Sequence, residues 1–170
     1  MTPPEIIAAL QARFGGQIVD AKPADKHPRI HVDGANWRPI AEFLRRDPQL
    51  QFDWLQCLSG VDYVAEGKMA AVYDLYSYAL RHRIAVKAFC PRENPHLPTV
   101  SDLWPIADWH EREAYDLFGI VFDGHPDLRR ILLAEDWVGY PLRKDYVYPR
   151  EYHGIPASVE LDWQQKPASK

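Results

Sequence analysis

The sequence predicts an α+β protein, a mainly antiparallel sheet with helices packed on it, followed by an extended C-terminal segment. Apolar residues recur at helical spacing near the start, around residue 40 and again after residue 100, while β-type runs stand side by side between them. Beyond Gly119 the periodicity fades into turn residues, aromatics and prolines. We therefore expect an α+β domain over residues 1–119 and an extended segment over 120–170. A chain of 170 residues, 46% apolar and 26% charged, is long enough for one domain with a sizeable core.

The first element is a helix. Thr2-Pro3-Pro4-Glu5 reads as a capping box with proline in the first turn, where its missing N–H costs nothing. Ile6, Leu10 and Phe14 follow at four-residue spacing, and Gly15-Gly16 ends the helix. Short strands are expected at 17–21 and 29–33. A second helix should run from Asn36, a good N-cap, to Arg46, ending before Asp47-Pro48. Three β-type runs follow, at 52–65, 69–80 and 83–90, the first two joined by Glu66-Gly67-Lys68. In the third, Ile84, Val86, Ala88 and Cys90 alternate with the opposite face of Lys87. After the proline-rich loop 91–98, a helix is expected from Ser101 to Phe118, bent or restarted at Pro105 and closed by Gly119. Leu103, Ala107, Ala114, Leu117 and Phe118 would be its inward stripe.

Composition excludes several functions. A net charge of −4 without a lysine and arginine run argues against nucleic acid as a partner. No stretch approaches the roughly 20 apolar residues of a membrane span. The N-terminus lacks the pattern of a signal or transit peptide, so a cytoplasmic location is expected. Cys57 and Cys90 lie in apolar, strand-like surroundings and read as buried free thiols. They are too few for an iron–sulfur cluster or a zinc ribbon. There is no dinucleotide glycine motif, phosphate loop or nucleophile elbow.

Chemistry-bearing residues concentrate in HEREAYDLFGIVFDGHPDLRRILL, residues 110–133. His110-Glu111 begins a zinc-protease helix motif, but the second histidine position holds Ala114. Glu111, Glu113 and Asp116 offer acid and base groups with no partnered histidine, so a stand-alone carboxylate or metal enzyme is a rival reading. Asp108, Arg112 and Asp116 lie four residues apart and would form a ladder on one helix side, which is also what a solvated face looks like. Glu113, one turn from Trp109 and Leu117, is expected to be partly screened and to want an arginine, with Arg129 and Arg130 as candidates. His125, before proline, reads as a satisfied turn residue or as a contact where two proteins meet. Arg143, Lys144 and Asp145 sit among aromatics. Together with Trp137, Tyr140, Tyr146, Tyr148, Tyr152 and Trp163, they suggest a clasp around a partner.

These blocks resemble a known family. Glu111-Arg112-Glu113, Asp116-Leu117-Phe118, His125, Arg129 and Ile131-Leu132 are similar to the signature of the C subunits of proton-pumping NADH:quinone oxidoreductase, respiratory complex I. Asp102-Leu103-Trp104-Pro105 resembles the lead-in, and Pro141-Leu142-Arg143-Lys144-Asp145-Tyr146 the downstream block, so the likeness spans about 100–146. Tyr140 departs from it, standing where many relatives have histidine.

The resemblance implies an α+β subunit of the peripheral arm on the cytoplasmic side of the bacterial inner membrane. No cofactor is expected in this chain, with FMN and iron–sulfur clusters in partner subunits. The expected partners within complex I are the D subunit, a separate protein holding the quinone site, the B subunit, and also the I subunit. Glu111, Arg112, Glu113, Asp116, His125, Arg129, Arg130, Arg143, Lys144 and Asp145 become interface or structural positions, none of them catalytic. The equivalent subunit of a membrane-bound hydrogenase or ferredoxin-fed complex is the alternative within the same class.

Overall fold

The computed structural model describes residues 1–156, and the expectation for Trp163 lies outside them. Among the described residues three α-helices, α1 (Pro3–Phe14), α2 (Trp37–Arg46) and α3 (Ala107–Phe118), accompany a five-stranded sheet. Its strands are β1 (Ile18–Lys22), β2 (Arg29–Asp33), β3 (Trp54–Tyr63), β4 (Lys68–Ser77) and β5 (His82–Pro91), in the order β1-β2-β5-β4-β3. All neighbours run antiparallel except β2 and β5, which pair in parallel with Arg29 opposite Ala85. The mainly antiparallel α+β class predicted from periodicity is the observed one.

Helix α1 begins as its sequence demands: the Glu5 carboxylate accepts the Thr2 N–H at 2.7 Å. Gly15, at φ 46°, ends it. Ile6 and Leu10 are fully buried, and Phe14 meets Phe43 of α2 edge-on at 5.5 Å. The predicted cap of α2 is corrected. Asn36 makes no capping bond, because residues 34–36 already form a 3-10 turn in which Asp33 accepts the Ala35 N–H at 2.9 Å.

The alternation in β5 is realised. Ile84, Val86, Ala88 and Cys90 are buried under the helices with Ile30, Val32, Ala71 and Tyr73. The cross-strand row His31, Lys87, Val72 and Ser59 lies on the opposite, more exposed face. Cys90 is a buried free thiol, whereas Cys57 on that outer face is only half-buried, so for Cys57 the expectation of burial fails.

The third helix differs from its prediction. Residues 100–106 form turns, in which Val100 C=O accepts the N–H groups of Leu103 and Trp104, and α3 starts only at Ala107. Pro105 has no N–H to continue an earlier helix and biases Trp104 away from helical backbone. The proline-rich loop also contains a strand, β6 (His96–Pro98), which pairs in parallel with β7 (Val121–Asp123). Ile120 and Phe122 join the core, so packed structure continues past Gly119. From Gly124 the chain follows irregular backbone broken by turns, in which Trp137 N–H bonds Ala134 C=O and Tyr146 N–H bonds Arg143 C=O, to a two-residue ladder of β8 (Glu151–Tyr152) with β9 (Ile155–Pro156), so the expected extended segment is turn-rich.

Candidate functional site

Asp116, Arg130, Arg143, Lys144 and Asp145 of the signature come together where α3 crosses the β3 edge of the sheet, whereas Glu111 and His125 meet beside Thr99 and Asp108, and Glu113 and Arg129 stay exposed. Gly60 of β3 makes that crossing possible, because a Cβ there would lie 2.5 Å from the Phe118 ring. The helix then stops at Gly119, whose φ of 75° suits glycine and whose missing side chain leaves room for the Tyr140 ring. Two ionic centres fasten the segment that follows, and a third cluster of buried polar groups lies at its root.

The first is Asp116, which is fully buried. Its Oδ1 accepts from Arg130 Nη1 at 2.8 Å, and its Oδ2 accepts the N–H groups of Ile131, Leu132 and Leu133 at 3.0, 2.7 and 3.0 Å. Burial by itself would raise this carboxyl, but the Leu133 N–H, the Arg130 guanidinium and the other two amides outweigh it and hold the group below the usual carboxylate range. Arg130 also donates to the carbonyls of Asp116, Trp137 and Gly139. One carboxylate thus organises residues 130–139.

The second centre is Asp62 of β3, which no sequence pattern had singled out. It is buried, receives Arg92 at 2.8 and 3.1 Å, and accepts the Lys144 N–H at 3.0 Å. Arg92 in turn reaches Asp145. Burial pushes Asp62 up, and Arg92 with the Lys144 amide brings it down further, so the net direction is down. Nearby, Arg143 donates to the last helical carbonyl, Phe118 C=O, at 2.7 Å and lies over the Tyr140 ring at 4.8 Å. A cation there complements the α3 C-terminus. Tyr140, the departure from the family pattern, fills the place beside Gly119.

The third centre gathers Glu111 and His125. Glu111 accepts the Thr99 hydroxyl at 2.5 Å and the Val100 N–H at 2.8 Å. Desolvation pushes its carboxyl up to about 7 despite those two bonds. The His125 side chain is buried, with Nε2 3.2 Å from the Asp108 carbonyl, 3.1 Å from its carboxylate and 3.9 Å from Glu111. Its Nδ1 accepts the Asp127 N–H at 3.0 Å. Within the chain, His125 is the satisfied turn residue.

Several expectations are corrected. The Asp108–Arg112–Asp116 ladder does not form. Arg112 is buried, lies over the Trp109 ring at 5.0 Å and donates to the Arg129 carbonyl at 3.3 Å, while Asp116 turns to the segment after Arg129. Glu113 is not screened. Its side chain is 50% exposed, and its nearest base is His110 at 4.0 Å, because the arginines proposed for it are engaged elsewhere. Arg130 is taken by Asp116, and exposed Arg129 by Asp127 at 2.9 Å. Leu117 and Phe118 are only partly buried, and Glu111, Arg112 and Asp116 occupy the inward face of α3 instead. Asp62 was detectable in principle: it falls at the inward parity of an alternating strand, where a carboxylate needs a buried cation.

These features define a class of protein, a small α+β domain whose buried Asp62 and Asp116, with their arginines, fasten the segment that follows its last helix. Leu132, Val138, Val147, Tyr148 and Ile155 of that tail remain exposed. The family model described as "Respiratory-chain NADH dehydrogenase, 30 Kd subunit" matches residues 30–152, and the chain belongs to this family. The NADH-quinone oxidoreductase C subunit from Roseiflexus castenholzii is 40% identical over 168 residues, covering 98% of this chain and 97% of the relative. Its counterpart from Chlorobium phaeobacteroides is 49% identical over 148 residues, 86% of this chain and 89% of the relative. A longer one, from Chloroherpeton thalassium, is 48% identical, and the chain spans 61% of its length. Among solved structures, a trypsin-resistant fragment of Nqo5 is similar with a TM-score of 0.63 and 30% identity, over 75% of this chain and all of that one. A chain of the membrane-bound sulfane sulfur reductase, an archaeal respiratory membrane complex, is similar with a TM-score of 0.70 and 26% identity, over 86% of each.

Proposed function

We propose that this chain is a cofactor-free structural subunit of the peripheral arm of an NADH:quinone oxidoreductase. It holds its neighbours in fixed geometry while electrons pass from NADH to quinone through FMN and iron–sulfur clusters held elsewhere in the complex, coupled to proton translocation. The observation that carries this reading is the likeness to the C subunits of that enzyme along nearly the whole chain. The geometry supports a positional role, because Asp62, Asp116, Arg92 and Arg130 are engaged in holding the tail. The tail's exposed apolar and aromatic side chains are then the surface offered to the D, B and I subunits. Among the described residues no helix is long and apolar enough to cross a membrane, so attachment to the cytoplasmic face of the inner membrane runs through the assembled complex.

The test is purification of a tagged chain from detergent-solubilised membranes of its own host. Co-purification of the B and D subunits with NADH:quinone reductase activity is expected. A chain recovered alone, or carrying its own flavin or metal, overturns the proposal. A second reading, the equivalent subunit of a related complex with a different electron donor, is favoured by the likeness to the sulfane sulfur reductase. Co-purification without NADH-oxidising subunits would select it.

A further inference from the structure

The Glu111 centre has an arrangement that tail fastening does not require. Asp62 and Asp116 each hold an arginine, whereas Glu111, equally buried, has no arginine or lysine within ion-pair distance among the described residues. The charged and titratable groups around it are Asp108 on α3, Asp102 on the preceding turn, Arg38 on α2, Tyr73 on β4 and His125 on the turn after β7. Arg38 is committed to Asp102 at 2.6 and 2.7 Å and to the Thr99 carbonyl at 2.9 Å. The Tyr73 hydroxyl is buried without a partner.

His125 offers a single proton. Its Nδ1 is occupied as an acceptor of the Asp127 N–H, so the neutral ring carries its hydrogen on Nε2, which bonds the Asp108 main-chain carbonyl at 3.2 Å and has Asp108 Oδ1 at 3.1 Å and Glu111 at 3.9 Å nearby. An ionised Glu111 therefore adds a second carboxylate near Asp108, whose buried Oδ1 has no hydrogen-bond partner, while the one imidazole N–H is already spent on a main-chain carbonyl.

A route for the proton is also present. The Thr99 hydroxyl touches Glu111 at 2.5 Å and the Ser101 hydroxyl at 2.9 Å. Thr99 and Ser101 line an open recess of about 550 Å³ together with Arg38, Asp102, Asp108 and Pro126. Hydroxyls both donate and accept, so the chain can reverse direction. With neutral Glu111, Glu111 donates to Thr99 and Thr99 to Ser101; with ionised Glu111, both bonds point the other way.

We propose that Glu111 is a proton-exchange site whose proton leaves for solvent through Thr99 and Ser101, and that its charge controls how firmly the His125–Asp127 turn closes at the root of the extended segment. The neutral acid leaves Asp108 alone with the ring and the turn closed. Loss of the proton sets the buried Glu111 carboxylate against the buried, unpartnered Oδ1 of Asp108, and the movable partner is the 123–127 turn.

The test is a side-chain carboxyl and amide NMR titration of the full chain. The Glu111 carboxyl is expected to titrate near neutral pH, the Asp127 amide to follow with the same midpoint, and hydrogen exchange at Asp127, corrected for its intrinsic pH dependence, to rise several-fold above it. In Glu111→Gln the Asp127 amide should lose that dependence. Thr99→Val, close in shape but without the hydroxyl, should move the Glu111 midpoint upward, and it serves on its own if the glutamine variant does not fold. Titration of Glu111 in the ordinary acidic range, an Asp127 amide indifferent to it, or an unmoved midpoint in Thr99→Val would each overturn the proposal.

Discussion

Replacing Asp116 by alanine is the sharpest test of how the tail is held. The substitution removes one carboxylate but strands the Arg130 guanidinium, whose side chain is only 16% exposed, and the three amides of residues 131–133. Breaking a buried ion pair from one side costs about 3–5 kcal/mol, and an orphaned amide up to about 1–3 kcal/mol where it is buried, less for these part-buried ones. These costs do not add, since the segment can peel away and let water satisfy it. A loss of about 3 kcal/mol is expected, which at roughly 2–4 °C per kcal/mol for a chain of this size lowers Tm by about 6–12 °C. Asp116→Asn keeps an acceptor for the amides and should lose roughly half as much. Thermal unfolding gives the global value, and hydrogen exchange at Leu132 and Leu133 shows whether the segment detaches. The pH dependence has a definite sign. The folded carboxyl is held below its unfolded value, so its stabilisation is present above about pH 4 and disappears as pH falls through the folded value. A Tm within about 2 °C of wild type, with unchanged protection at both amides, would refute the reasoning.

Arg92→Ala leaves Asp62 buried without its cation and should cost about 3 kcal/mol in urea unfolding, with faster hydrogen exchange at Lys144. For Glu111, whose folded carboxyl is raised to about 7 from 4.5, the linked stabilisation is full below the unfolded value, declines as pH rises between the two and is gone above the higher. Glu111→Gln should remove a slope worth on the order of 3 kcal/mol from the pH–stability curve, measured by urea midpoints. Gly119→Ala places a Cβ at φ 75° and against Tyr140, costing about 1–2 kcal/mol or more, part of which Tyr140→Ala should restore in the double variant. Glu113→Gln, exposed and unpaired with arginine, should leave the stability of the chain within about 0.5 kcal/mol of wild type. If Glu113 serves an interface, only co-purification with partner subunits should fall.

Much of the fold was legible because local patterns and tertiary packing agree. The period-two pattern of residues 84–90, the four-residue spacing of Ile6, Leu10 and Phe14, and the stop at Gly119 all describe surfaces that the core then uses. The restart of α3 after Pro105 was legible, but that residues 100–106 form turns in place of a first helical stretch was not, because Glu111 reaching back to Thr99 and Val100 is a contact that spacing does not reveal. The parallel β6–β7 pair was hidden for the same reason: each strand is three residues long, and their pairing is set by what lies between them. At the site, the residue types in 110–133 correctly marked a concentration of charge, but the partners were misassigned. Helical spacing places Arg112 and Asp116 one turn apart, and the chain satisfied each from the following segment, where backbone amides and Arg130 could surround a desolvated carboxylate. Asp62 escaped notice because its arginine is distant in sequence.

The parallel pairing of β2 with β5 has a kinetic consequence. Strands β3, β4 and β5 are successive and antiparallel, so they can assemble from short-range contacts as soon as they exist. The β1–β2 hairpin has no sheet to join until residues 82–91 are available, and joining closes the long loop that contains α2, β3 and β4. On the ribosome the edge of β2 must therefore wait unpaired until β5 has been made, and this late docking is expected to set the folding rate and to be the point at which a nascent chain most needs protection from aggregation.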